Sequence, residues 1–167
     1  FVVGDTNTVP SVTLAGGRML INSDITTPWI QEKQGFDFSG GVLQVTNSCS
    51  CLIPLRLSGT PTFDTPTSGK GLTLRAGFSG RADIVKAGSG AVGLGSGLAA
   101  QLSGSLTISN GVFNMGANTL LESYGPSAEP LGMKICNGGI FRLSDINSVV
   151  TVPLALDIEA GGKIEFS

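Results

Sequence analysis

Three cysteines and a scatter of carboxylates are the side chains of this 167-residue sequence best suited to chemistry, and no histidine stands beside them. Without His, neither a Ser-His-Asp nor a Cys-His nucleophilic site can be assembled. His-ligated zinc or iron is excluded for the same reason. Cys49 and Cys51 stand two apart, on one side of an alternating segment, and Cys136 stands far along the chain. Two readings stay open for them. They are small buried hydrophobes stacked in a core, or Cys136 forms a disulfide with Cys49 or Cys51, as an extracellular setting permits. The odd thiol also leaves room for an intermolecular bond. Three thiols with no fourth ligand nearby make a weak metal site, so neither metal nor cofactor is expected.

The carboxylates divide similarly. Asp157, Glu159 and Glu165 cluster around Lys163. Paired carboxylates serve a glycosidase or a calcium site, yet alternate positions on an outward strand face ordinarily keep a strand soluble and blunt its edge. Asp64, Asp83, Asp145, Arg56, Arg75 and Arg81 would meet only if the chain coiled them together, as in a polysaccharide-cleaving β-helix. The glycine-rich stretch from Gly88 to Gly97 resembles a phosphate loop in spacing, but no helix follows it. Twelve acidic and ten basic residues leave a net charge of −2, with the basic residues dispersed from Arg18 to Lys163. That is no footprint for nucleic acid. No apolar run approaches the ~18 residues of a membrane-spanning helix. No Asn-x-Ser/Thr acceptor occurs for N-glycosylation. So few acid–base groups point to a protein that is not an enzyme.

The elements that would position these residues are strands. From Leu43 to Leu57 the odd positions read Leu43, Val45, Asn47, Cys49, Cys51, Ile53, Leu55 and Leu57, with polar residues at most of the even ones. Val150, Val152, Leu154, Leu156 and Ile158 form a second one-sided run. This period of two marks strands with one buried and one exposed face. Only the stretch from Leu98 to Leu102, tightly bracketed by Gly97 and Gly104, offers a turn of helix. The class is all-β.

Repetition narrows the fold. A short alternating segment, a Gly-Gly or Asn-Gly bend and a second alternating segment recur at Gly16-Gly17, Gly40-Gly41, Asn110-Gly111, Gly138-Gly139 and Gly161-Gly162. The interval from Gly41 to Gly111 is long enough for further copies, near Gly71 and Gly90. Recurrence every 20–30 residues or so suits coils of a parallel β-helix, with glycine at corners that need positive φ or close approach. The alternative is a β-sandwich or jelly roll, in which the same bends are hairpin turns. One solenoid domain spanning residues 1–167 is expected. Thr26 to Lys33, Gly59 to Gly71 and Tyr124 to Pro130 read as insertions between coils, and two of these carry the single Trp and the single Tyr.

The stretch Ile84-Val85-Lys86-Ala87-Gly88-Ser89-Gly90-Ala91-Val92-Gly93-Leu94-Gly95, continued by Gly104-Ser105-Leu106-Thr107-Ile108-Ser109-Asn110-Gly111, resembles the passenger-associated repeat of bacterial autotransporters. About 30 residues carry the likeness; Val92-Gly93-Leu94 replaces the usual Leu-Thr-Leu, and the Asn-Thr-Tyr-x-Gly turn is missing. The resemblance implies a right-handed parallel β-helix at a cell surface.

The sequence opens Phe1-Val2-Val3-Gly4-Asp5, without Met or a basic leader, and reads as a processed chain or a segment of a longer one. Apolar residues at both extremes, Phe1, Val2 and Val3 at one and Ile164 and Phe166 at the other, suggest uncapped coils able to stack end to end into a homopolymer. The expectation is a non-enzymatic extracellular or cell-surface protein, part of a filament, stalk or adhesin. The alternative is a β-helix that binds or cleaves surface glycans.

Overall fold

The computed structural model describes residues 11–26, 35–125, 130–145, 147–151 and 154–167. Alternation at period two obliges each strand to bury one face. Stacking coil upon coil buries that face while each backbone finds partners in the coils on either side. The outcome is a β-solenoid of about six turns with every strand pair parallel and no helix among the described residues. Parallel pairing throughout rules out the sandwich and the jelly roll.

The first described coil holds β1 (Ser11–Leu14) and β2 (Arg18–Ile21); the second holds β3 (Gly35–Phe38), β4 (Val42–Val45) and β5 (Cys49–Cys51). The third comprises β6 (Leu55–Gly59), β7 (Thr62–Asp64) and β8 (Gly71–Leu74). The fourth and fifth have two strands each: β9 (Phe78–Ala87) with β10 (Ala91–Leu94), and β11 (Ala99–Ile108) with β12 (Gly111–Met115). The sixth has β13 (Leu120–Glu122), β14 (Leu131–Ile135) and β15 (Gly139–Leu143), and the last has β16 (Val149–Val150), β17 (Leu154–Ile158) and β18 (Lys163–Phe166). Three faces result. The first runs β1-β3-β6-β9-β11-β13-β16, and the third runs β5-β8-β10-β12-β15-β18. The second is β2-β4-β7, then the C-terminal halves of β9 and β11, then β14 and β17.

Register aligns like with like. On the third face Cys49, Leu72, Val92, Phe113, Phe141 and Ile164 stand one above another, so successive coils advance by 20 to 28 residues. On the second face Leu43, Phe63, Lys86, Ile108, Ile135 and Ile158 form a similar ladder. Phe38 and Phe63 meet edge to face at 5.2 Å between centroids, and Phe113 stacks on Phe141 at 6.2 Å. These ladders form one continuous apolar core.

The bends occupy two different corners. Gly16-Gly17 and Gly40-Gly41 turn the first face into the second, whereas Asn110-Gly111, Gly138-Gly139 and Gly161-Gly162 turn the second into the third. Both corners call for a residue of positive φ, which is why their sequences look alike: φ is 71° at Gly17, 80° at Gly41, 69° at Gly111, 83° at Gly138 and 92° at Gly161. At Gly41 stacking adds a second demand, because a Cβ there would stand 2.6 Å from the Gly17 carbonyl oxygen. The long interval between Gly41 and Gly111 holds corners that lack the paired signature: single positive-φ glycines stand at Gly59, Gly69, Gly88 and Gly104, and β9 and β11, at ten residues each, run through the first corner as continuous strands.

Other expectations are corrected. Ala99 to Leu102 begins strand β11 and makes no helical turn. Gly59 to Gly71 is no insertion, since it contains β7 and the corner that leads to β8. Asn47 lies exposed in a corner, where the alternation of Leu43 to Leu57 is interrupted. Trp29 and most of its loop, much of the Tyr124 loop, Val152, Phe1, Val2 and Val3 lie outside the described residues.

Candidate functional site

The cysteines are not joined. All three are free, with Cys49 and Cys51 buried in β5 and Cys136 partly buried at the corner after β14. Four rungs separate the two places. At ~4.8 Å per rung that is on the order of 19 Å, against the ~7 Å limit for bridged Cα atoms. Burial pushes the Cys51 thiol up to about 11, and that of Cys49 upward as well. Neither is an activated nucleophile.

The carboxylates serve the stacking. Glu159 pairs with Lys134 at 2.8 Å and Glu165 with Arg142 at 2.7 Å, each reaching one rung back. Asp157 stands beside Lys134 in register. The scattered Arg and Asp residues do not converge. Arg56 forks onto Asp37 at 2.6 and 2.9 Å on the first face, and Asp64 accepts from Gln44 at 2.6 Å on the second. Asp83 accepts from Ser105 at 2.7 Å, and Asp145 caps Asn147 in a local turn. Arg81 lies on β9, and Arg75 reaches Ser50 on the third face. Among the described residues no group of three His, Cys, Asp or Glu is placed to hold a metal ion.

Lys86 was the residue the pattern undervalued. It follows Ala82 and Ile84 on the inward phase of β9 and has no exposed surface. Its ammonium donates to three main-chain oxygens, of Ala87 (2.7 Å), Gly88 (2.8 Å) and Asn110 (3.0 Å), so all three N–H groups are used. Burial lowers its pKa to about 8, with the charge of Asp64 opposing that shift. Lys86 thus ties the corners of two neighbouring coils together. A cation on the buried phase of a strand was the signal available in the sequence.

Two surfaces remain for function. The first is the last rung. Val150, Leu154, Leu156, Ile158, Ile164 and Phe166 occupy register positions whose counterparts one coil earlier are mostly buried. Here Leu154 is 41%, Leu156 45%, Ile158 44% and Phe166 79% exposed. Among the described residues, β16, β17 and β18 each have a paired strand on one side only. An apolar face bordered by unpaired backbone groups is a template for another rung. Ile164 and Phe166 lie together on this surface.

The second surface is a groove of about 900 Å³ along the outside of the third face. Its floor includes Ser50, Gly71, Thr73 and Gly93, and Lys70 and Arg75 stand at the two ends of β8 on opposite banks. Compared with protein-family models, curated protein sequences and solved structures, the chain matches none. Function must therefore be argued from these two surfaces.

Proposed function

We propose that the chain is a non-enzymatic structural β-solenoid of an extracellular or cell-surface filament, stalk or adhesin, and that it self-associates by adding a second copy's strands to its last rung. The observation that carries this reading is the stacking itself: every described strand pair is parallel and like apolar residues align from coil to coil, so one-sided strands with apolar side chains, as in the last described rung, are matched by a further rung of the same pattern. Such a surface is favourable to cover: each large apolar side chain removed from water contributes roughly 1.5–3 kcal/mol when fully buried. The unpaired strands supply parallel hydrogen bonding that fixes the orientation of the incoming rung. The likeness of residues 84–111 to autotransporter passenger repeats supports a surface location, and the scarcity of acid–base groups supports a scaffold.

The test is sedimentation and negative-stain microscopy of the purified chain over a wide concentration range, beside a Leu156→Lys variant. Concentration-dependent elongated assemblies from the parent, absent from the variant, are expected. A parent chain that stays monomeric at high concentration overturns the reading.

A further inference from the structure

The groove on the third face is independent of the stacking end. The geometry points to a binding site for a linear acidic polysaccharide, lying along the solenoid axis with its carboxylate or sulfate groups against Lys70 and Arg75. Four observations lead there.

The lining is cationic in a chain that is not. Lys70, Arg75 and Arg142 face the groove against Asp24 alone, while acidic residues outnumber basic ones in the chain as a whole. Arg142 is committed to Glu165, and Asp24 accepts the Ser50 amide at 2.7 Å; among the described residues Lys70 and Arg75 form no ion pair. The Nε of Arg75 rests on the Ser50 hydroxyl at 3.2 Å, which bends its side chain over the floor.

The floor is cleared of side chains where no turn requires it. Gly71 opens β8 and Gly93 lies inside β10, both without positive φ. Glycine in a strand weakens it and marks places where another group approaches the backbone closely. Here the close group is the neighbouring rung: a Cβ on Gly71 would come 2.7 Å from the Ala91 oxygen, and one on Gly93 would come 3.0 Å from the Asn114 oxygen, so stacking calls for glycine and leaves the floor bare at these two positions.

The direction is set by the coil. The groove crosses β5, β8, β10 and β12, so it runs along the stack and offers Ser50, Thr73 and Asn114 as polar groups on rungs ~4.8 Å apart. Lys70 and Arg75, five residues apart on an extended strand, stand ~17 Å apart and flank an extended polymer from both sides.

Among the described residues no aromatic side chain lines the groove. Bases of single-stranded nucleic acid and faces of neutral sugars are both held by aromatic stacking. Charge and hydroxyl contacts remain, and they select an acidic glycan.

The experiment is titration calorimetry of the intact chain with polygalacturonate, heparin and neutral dextran at low and physiological ionic strength. It is repeated with the double variant Lys70→Glu, Arg75→Glu and with Arg18→Glu, Lys163→Glu, a control of equal charge change outside the groove. Binding of at least one acidic polymer that weakens with salt is expected, with dextran inert. The groove variant should lose about tenfold or more per cation removed, and the control far less. Absence of binding to both acidic polymers, equal binding of dextran, or equal loss in the control overturns the site. Because Leu156→Lys leaves the groove intact, binding by that variant separates this result from failure of the stacking reading.

Discussion

The first and the last described coils are made of the same kind of rung and differ in burial. In the first coil the inward residues Leu14 and Ile21 are 8% and 4% exposed, and Ile25 is fully buried. In the last, Leu154, Leu156, Ile158 and Phe166 on the same inward phase are more than two-fifths exposed, and their strands are paired on one side only among the described residues. Each coil contacts only its neighbours, so a rung's stability is largely the sum of its two interfaces. Among the described residues the first and the last rung each have one neighbouring coil, yet only the last leaves much of its apolar phase in water. The comparison teaches that the count of neighbouring coils does not by itself decide burial at an outer rung; how far the rung's own side chains close over the core decides as well.

A single ladder gives the sharpest way to break that comparison. Leu106, Met133 and Leu156 occupy one inward ladder in the last three described coils; Leu106 and Met133 are buried and Leu156 is 45% exposed. Leu106→Ala should cost about 3–4 kcal/mol in denaturant unfolding of the monomer, as for a fully buried leucine. Leu156→Ala should cost about 1 kcal/mol or less, because much of its surface already meets water. Equal costs would show that the last rung is as consolidated as the interior. Hydrogen exchange checks the same point without mutation, since amides of β16 to β18 should exchange before those of β9 and β11.

Lys86 comes next in size. Lys86→Met keeps the side chain's length but strips three corner carbonyls of their donor, and should cost about 2–3 kcal/mol near neutral pH. The pH dependence gives the sign. With its folded pKa lowered to about 8 from 10.5, the unfolded chain holds a proton that the folded chain has released between those values. Stability from this residue therefore rises as pH climbs through that window. Cys51 acts oppositely: its thiol, held up at about 11 against 9, keeps a proton the unfolded chain has lost, so its contribution falls from about pH 9 upward. The difference in melting temperature between parent and Lys86→Met cancels the thiol effect and should widen in the parent's favour from about pH 7 to about pH 10. A constant difference would mean that Lys86 stays fully charged throughout.

How much of this was legible follows from what each feature depends on. Alternation and glycine bends are local, so strands, coil length and parallel stacking could be read directly. Which corner a bend belongs to depends on register between coils, and Gly41 and Gly111 carry the same conformational requirement at different corners. Exposure of Leu154, Leu156 and Ile158 depends on which rungs lie against β17, and β14 is the one described strand paired with it; no local pattern encodes that. Arg75 and Lys70 flank a groove because a strand of fixed length separates them, while its floor is assembled from four coils. The cysteines failed as a disulfide for the same reason: closeness in type says nothing about the rung on which each one falls.

The smallest effect concerns the ion pairs that link outward positions, Asp37–Arg56 near the first coils and Arg142–Glu165 at the last. Each is an exposed or half-exposed pair with direct register neighbours, worth at most about 0.5 kcal/mol. The hydrogen bond from Arg56 holds the Asp37 carboxyl below its ordinary 3.8. Its small stabilisation is thus present above that value and disappears as pH falls through the lowered one. Asp37→Asn should lie slightly below the parent in melting temperature at neutral pH and converge with it in acid, and salt should shrink the gap. Glu165→Gln should do still less in the monomer, since fraying of β18 opens that pair without unfolding the coils beneath. In an assembly that covers the last rung, β18 no longer frays, and the two variants should become alike.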